Sequence, residues 1–235
     1  MKFNLITTIR NLKFVTTTAV LLMVGYQLLT VGAGAQTPTQ VVLTWQANNF
    51  YRADFGGKVL VTPGTPVAVS AEVLENGKFA DLSGANFIWY IDEKLQSRGE
   101  GLKEISFTAN KTVGDDYFVR VNIRSGENVF ESSVRIPISS PVLVLRNPNP
   151  NGLIKSGEKA QITAVPYFFN VNLFQDLKFF WQIDNGTIKS GGNDNNLTLN
   201  TGNAQPGKTV QITGIAQNEK NALEKAVSRI RLIVY

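Results

Sequence analysis

The residues able to do chemistry are fewer than the length suggests. The 235-residue chain has no Cys and no His. That removes disulfides, haem and zinc ligation through these residues, cysteine nucleophiles and every histidine-based triad. Glycoside hydrolysis needs two facing carboxylates. The candidate acids Asp54, Asp81, Asp115, Asp116 and Glu127 are scattered over expected turns. Ser and Lys are plentiful, but no G-x-S-x-G pattern supplies a nucleophile with a partner. The expectation is no enzyme, no catalytic residue and no cofactor. Asp92 and Asp184, with Asn193, Asp194 and Asn195, could offer oxygens to a metal. Calcium loops space such ligands as D-x-D-x-D-G, which is absent, so Asp and Asn bonding their own backbone in turns is the favoured reading and no metal is expected.

Binding chemistry is better represented. Trp45, Phe50, Tyr51 and Phe55, beside Arg52, lie in a stretch bracketed by Asn48-Asn49 and Gly56-Gly57. They could form an exposed patch for a glycan or a protein, or fold back to cap the end of a sandwich. Pro166-Tyr167-Phe168-Phe169 is a second, weaker cluster. Trp89 and Trp181 could stack on a ligand, yet both sit mid-strand among alternating apolar residues, which favours the core.

The elements that position these residues are strands. FIWYID (87–92) and FFWQID (179–184) place an aromatic, a Trp, an Ile and an Asp in the same order 92 residues apart. Apolar residues at every second position suit a strand buried on one face, so Phe87, Trp89, Ile91, Phe179, Trp181 and Ile183 are expected core residues. Further alternation marks 41–45, 67–73, 105–107, 117–123 with Tyr117 facing inward, and 134–138. After Ser139-Ser140-Pro141 the pattern restarts, with strands around 160–164, 197–199, 210–212 and 230–234. At offsets of 92 or 93, Ile105 and Phe107 fall on Leu197 and Leu199, Gly64 on Gly157, Ala71 on Ala164 and Val134 on Val227. This is a duplicated unit, about seven short strands each, with 50–58 as the insertion that lengthens the first copy. The nearest case to a helix is 218–230, where Ala222, Leu223, Ala226 and Val227 fit one helical face.

WQIDNG (181–186) resembles the W-D-F-G-D-G signature of PKD domains, an immunoglobulin-like family common on microbial surfaces, and WYIDEK (89–94) is a weaker copy. GDDYFVRVNIRSGENVF (114–130) resembles the G-x-Y-x-V-x-V strand, turn and final strand of that family; in the second unit VQITGI (210–215) matches the same place without the Tyr. A bacterial immunoglobulin-like domain fits equally. The resemblance implies spacers and interaction modules of exported proteins, and no chemistry.

The expected fold class is all-β: two tandem immunoglobulin/PKD-like β-sandwiches, residues 36–140 and 141–235, after an N-terminal segment, 1–35. That segment holds Lys2, Arg10 and Lys13 and no acid, then runs uncharged from Phe14 to Ala35 and ends in Ala33-Gly34-Ala35. It reads as a signal peptide cleaved after Ala35 or an uncleaved membrane anchor, the only membrane contact expected being residues 14–35. Either places residues 36–235 outside the cytoplasm, secreted, periplasmic or on the cell surface. With these three bases set aside, the net charge of +5 falls to a slight excess, which argues against a nucleic-acid partner. The expected function is a structural or interaction module of the envelope or of a surface filament, binding a protein. The alternatives are a carbohydrate-binding module that takes cell-wall glycan through the aromatic loop 45–55, and a two-domain pilus-chaperone-like protein presenting Phe130, Val134, Ile136 and Ile138.

Overall fold

The computed structural model describes residues 39–149, 151–184 and 186–235, with residues 187–191 as backbone only. The expected signal peptide or anchor, 1–35, lies outside the described residues. Among the described residues no helix is long and apolar enough to cross a membrane.

The alternation read from the sequence becomes strands almost everywhere. In chain order they are β1 (Gln40–Ala47), β2 (Pro66–Glu75), β3 (Lys78–Phe79), β4 (Asn86–Ile91), β5 (Lys94–Glu100), β6 (Glu104–Thr108), β7 (Asp116–Ser125) and β8 (Asn128–Pro137). There follow β9 (Val142–Arg146), β10 (Leu153–Ile154), β11 (Lys159–Tyr167), β12 (Leu177–Ile183), β13 (Gly186–Gly192), β14 (Asn196–Asn200), β15 (Thr209–Asn218) and β16 (Asn221–Val234). One 3-10 turn, Phe174–Asp176, precedes β12.

The chain folds into two β-sandwiches. In the first, β1 and β6 flank β2, opposite a sheet ordered β5-β4-β7-β8. In the second, β14-β11-β9 faces β10-β16-β15-β12-β13. The buried apolar residues fall into two clusters, one drawn from 47–138 and one from 143–232. Phe87 and Trp89 fill the first, Phe179 and Trp181 the second, all fully buried. Full burial of a Phe contributes about 1.5–3 kcal/mol. Ile91 and Ile183, at the strand ends, are half-buried and pack on the rims of these cores.

The duplication holds in register. Val69 pairs with Ile105 and Val67 with Phe107; Ile162 pairs with Leu197 and Ala160 with Leu199. Trp89 lies opposite Val121, and Trp181 opposite Gly214. Even the parallel bridge Val61–Ile138 has its counterpart in Ile154–Val234. Within the last hairpin the offset changes. A register shift at Gln217/Asn218 moves β16, so the partner of Ile212 is Ile230, whereas Val119 pairs with Val134. Ile230 therefore takes the place that the sequence offset assigns to Val227, and Val227 is left 47% exposed. The helical face considered for 218–230 is instead split by the β15–β16 hairpin, with Ala226 turned inward and Leu223 and Val227 outward. Ten residue pairs to β15 outweigh an isolated helix of that length, which is marginal in water.

Of two motif residues, the Asp locks both copies alike and the Tyr only the first. Asp92 and Asp184 both adopt φ near +50°. Each exchanges backbone and side-chain bonds with the neighbouring strand: Asp92 N donates to Phe118 O (2.8 Å) and its Oδ1 accepts from Phe118 N (3.1 Å). Asp184 does the same with Gln211, at 2.7 and 3.0 Å. The short carboxylate thus closes the turn after the Trp strand, where Asp tolerates the left-handed conformation. Tyr117, at the start of β7, accepts at its hydroxyl from the N–H of Asn110 (2.7 Å) and of Lys111 (3.2 Å), the tie-back known as a tyrosine corner. The second copy has Val210 at that place.

Candidate functional site

Residues 41–73 and 79–235 form one compact unit, within which the aromatic loop pairs with residues 168–169. Phe50 does not cap its own sandwich. It forms a two-way bridge with residues 168–169: Phe50 N donates to Phe169 O (2.7 Å) and Phe168 N to Phe50 O (2.6 Å). Its ring lies 6.1 Å from Phe174, which stacks on Phe179 at 5.4 Å. Phe55 packs on Tyr167 (5.5 Å) and Phe168 (5.3 Å), and Tyr51 meets Phe55 at 6.2 Å. The two aromatic clusters noticed separately in the sequence are one cluster, drawn from both halves of the chain. Phe168 has φ of +64°, which strains a bulky residue, and it is held there by the bridge to Phe50.

A buried polar network runs beside this cluster. Gly64, at φ +95°, turns the chain so that Thr62, Pro63 and Thr65 meet Asn170. Thr65 Oγ1 donates to Asn170 Oδ1 (2.7 Å), and Asn170 Nδ2 reaches Pro63 O (2.8 Å), Thr62 Oγ1 (3.2 Å) and Glu224 Oε1 (2.8 Å). Thr62 Oγ1 donates to Phe168 O at 3.0 Å. The buried Glu224 carboxylate also accepts from Asn170 N (2.6 Å) and from Asn218 Nδ2 (2.6 Å). Most buried polar groups are satisfied in this way. Sequence reasoning passed over Thr62, Thr65, Asn170 and Glu224, because each looks like an ordinary turn or surface residue and their partners lie 54 to 108 positions away.

The remaining members of the predicted patch separate. Arg52 is paired with Asp54 (2.9 Å), whose carboxylate also lies 3.7 Å from Arg146. Hydrogen bonding to Arg52 holds the Asp54 carboxyl below its ordinary value. Trp45 sits on β1, half-buried against the first core, with the Lys58 ammonium 3.7 Å over its ring. Burial pushes that ammonium below its ordinary value. Trp45 is therefore not part of the surface formed by Phe50, Tyr51 and Phe55. Of these three, Tyr51 is the most accessible at 40% exposure; Phe50 and Phe55 are half-buried.

Beside Tyr51 lies a cleft of about 560 Å3, lined by Asn48, Asn49, Tyr51, Asn170 and Asn172, with Phe50, Gly64, Pro66 and Val171. None of these side chains is charged. Asn49 Nδ2 donates to Leu60 O (2.8 Å) and Thr65 Oγ1 (3.3 Å), while its buried Oδ1 has no partner. The exposed side chains of Asn48 and Asn172 bond to no other described group.

Except for the exposed Glu127, the other candidates are engaged one by one. Asp81 accepts from Ser83 N, Asp115 from Thr112 Oγ1, and Asp116 pairs with Arg135. Asp92 pairs with Lys111 at 2.7 Å; burial pushes its carboxyl up, but Lys111 and the Phe118 N–H outweigh this, leaving it below its ordinary value. Asp194 accepts from Asn196 N in its own turn, while Asn193 and Asn195 donate to Gln175 O and Ala164 O. No group of three or more acidic, His or Cys side chains placed to hold a metal occurs among the described residues. Phe130, Val134, Ile136 and Ile138 of the chaperone-like reading pack against the first core, and β8 turns outward its backbone edge and its alternate side chains, Val129 and Arg135 among them.

No known family model and no curated protein matches the chain. Among solved structures it is similar to three N-terminal domains of the Highly Immunogenic Outer Capsid protein (Hoc) of bacteriophage RB49. The identity is 13%, with 84% of this chain and 59% of that one covered and a TM-score of 0.43. It is also similar to fibronectin(III)-like modules of Clostridium thermocellum CbhA (16% identity, 82% and 93% covered, TM-score 0.29). A third is the Bacteroides ovatus mixed-linkage glucan utilization locus SGBP-B, in complex with a mixed-linkage heptasaccharide (11%, 81% and 47%, TM-score 0.25). The chain spans 59% of the first structure's length. At these identities and scores no ligand or partner passes to this chain.

Proposed function

We propose that this chain is a non-enzymatic binding module that works outside the cytoplasm. Residues 1–35 serve as its signal peptide or membrane anchor, and two PKD-like units, 36–140 and 141–235, carry the contact surface. The partner is a protein of the envelope or of a surface filament, or a cell-wall glycan. One observation carries this reading: the aromatic loop spends Phe50 and Phe55 on fixing the joint, and leaves Tyr51 exposed beside an uncharged, asparagine-lined cleft. A preorganised aromatic and polar surface on a rigid joint lowers the ordering cost of binding. Asp54, Asp81, Asp115 and Asp116, each committed to a turn or an ion pair, support a non-catalytic role.

The test is capture of the full chain on isolated envelopes of its own host, compared with Tyr51→Ala. The expected result is saturable retention of the parent chain and its loss on substitution. Equal retention of both chains, or none of either, would remove the surface from consideration.

A further inference from the structure

The geometry points to a ligand class for the cleft beside Tyr51: it is a subsite for a neutral saccharide, an inference that rests on the binding-module reading above. The volume, about 560 Å3, lies in the range of small-molecule sites. Its polar groups are primary amides, and each amide presents donors and an acceptor at fixed separation. Vicinal hydroxyls of a pyranose each donate and accept, so an amide can bond two neighbours at once. Asn48 and Asn172 are exposed with side chains bonded to nothing else described, and are free to do this.

Asn49, whose side chain lines the same cleft, is 8% exposed and keeps Oδ1 without a partner. That oxygen has no surface open to the cleft, so a ligand hydroxyl cannot reach it and Asn49 only backs the wall. Asn170 has another task. Its amide is committed to Thr65, Pro63 and Glu224, so it shapes the wall and is not the group that reads the ligand.

Tyr51 supplies the apolar half of the recognition. Its ring can pack on the C–H face of a sugar while its hydroxyl stays in water. The residue before it is pinned by the Phe50 bridge, so the ring is displayed from a fixed backbone. Charge decides between ligand classes. No lining residue is Asp, Glu, Lys or Arg, and a uronic acid, sulfate or basic peptide would find no counter-charge to repay its desolvation. An extended peptide would seek a sheet edge and apolar pockets, neither of which this cleft presents.

The experiment is titration of the full chain with soluble neutral oligosaccharides (a β-linked glucan, a chitin fragment and a mannan) and with polygalacturonate. Binding is read by ligand-observed NMR, for the parent chain, Tyr51→Ala and Asn172→Ala. The inference expects saturable binding of at least one neutral oligosaccharide, weakened about tenfold by either substitution, with unchanged chemical-shift dispersion as the check on folding. No neutral oligosaccharide bound, binding unaffected by both substitutions, or preference for the polyanion would each overturn it. Envelope capture separates the two failures. Tyr51-dependent capture of protein without any saccharide binding sinks the ligand class alone, whereas absence of both sinks the module reading as well.

Discussion

Replacing Asn170 by Ala removes the hub that joins the turn 62–65 to the second sandwich. The loss can be worked out bond by bond. One NH2 group has two hydrogens, so the two 2.8 Å contacts, to Pro63 O and Glu224 Oε1, count, and the 3.2 Å contact to Thr62 does not. Oδ1 adds the bond from Thr65 at 2.7 Å. Two neutral bonds at about 1 kcal/mol each and one to a carboxylate at about 2 kcal/mol give a loss of about 4 kcal/mol. The backbone bond from Asn170 N to Glu224 survives, as does the Asn218 bond, so Glu224 is not left bare. About half of the loss, the bonds to Pro63 and Thr65, falls on the joint, and the bond to Glu224 lies within the second sandwich. Scanning calorimetry should therefore show one cooperative transition for the parent chain and two for Asn170→Ala, the calorimetric enthalpy then exceeding the van't Hoff value. Asn172→Ala, which removes no internal bond, should leave the transition within about 0.5 kcal/mol of the parent. Two transitions already in the parent, or a single unshifted one in Asn170→Ala, would refute the network as the coupling element.

Three further outcomes follow from single contacts. Gly214→Ala would put a Cβ 2.7 Å from Leu145 Cδ2 and 3.3 Å from Trp181 Cζ3, overpacking the second core; urea titration should show a loss of about 1–3 kcal/mol. Tyr117→Phe removes the acceptor for two backbone N–H groups, and should cost about 1–3 kcal/mol in the same assay. The depressed Asp92 carboxyl stabilises the fold fully above its unfolded value of about 4, and that contribution is lost as pH falls through the lower folded value. Asp92→Asn should accordingly lower Tm at pH 7 and flatten its decline below about pH 4; an unchanged acid limb would contradict the pairing with Lys111.

The strands were legible because period-two alternation is a local signal: Tyr117, Val119, Val121 and Ile123 can be read as one face without knowing their partners. The Trp-Ile-Asp repeat was legible for the same reason, and its Asp could be placed in a turn from the side chain's habit alone. The β15–β16 hairpin was harder, since Ala222, Leu223, Ala226 and Val227 satisfy a helical period as well, and only pairing with β15 decides. Its register shift, which exchanges Val227 for Ile230, leaves no local trace. The site was half legible. Both aromatic clusters stood out by composition, but nothing near Phe50 says that its backbone pairs with Phe169, and nothing near Asn170 points to Thr62. Contacts across a hundred residues carry no periodicity, so the cleft that they create could not be seen before the fold.

The central claim is a division of labour in the aromatic loop, Phe50 holding the joint and Tyr51 facing a ligand. One paired measurement tests it: melting temperature and envelope binding for Phe50→Ala and Tyr51→Ala in the full chain. Phe50→Ala should cost about 3 kcal/mol of stability, since its half-buried ring packs against the second core. Tyr51→Ala should leave Tm unchanged and abolish binding. The reverse pattern, or loss of binding in neither, would contradict the account.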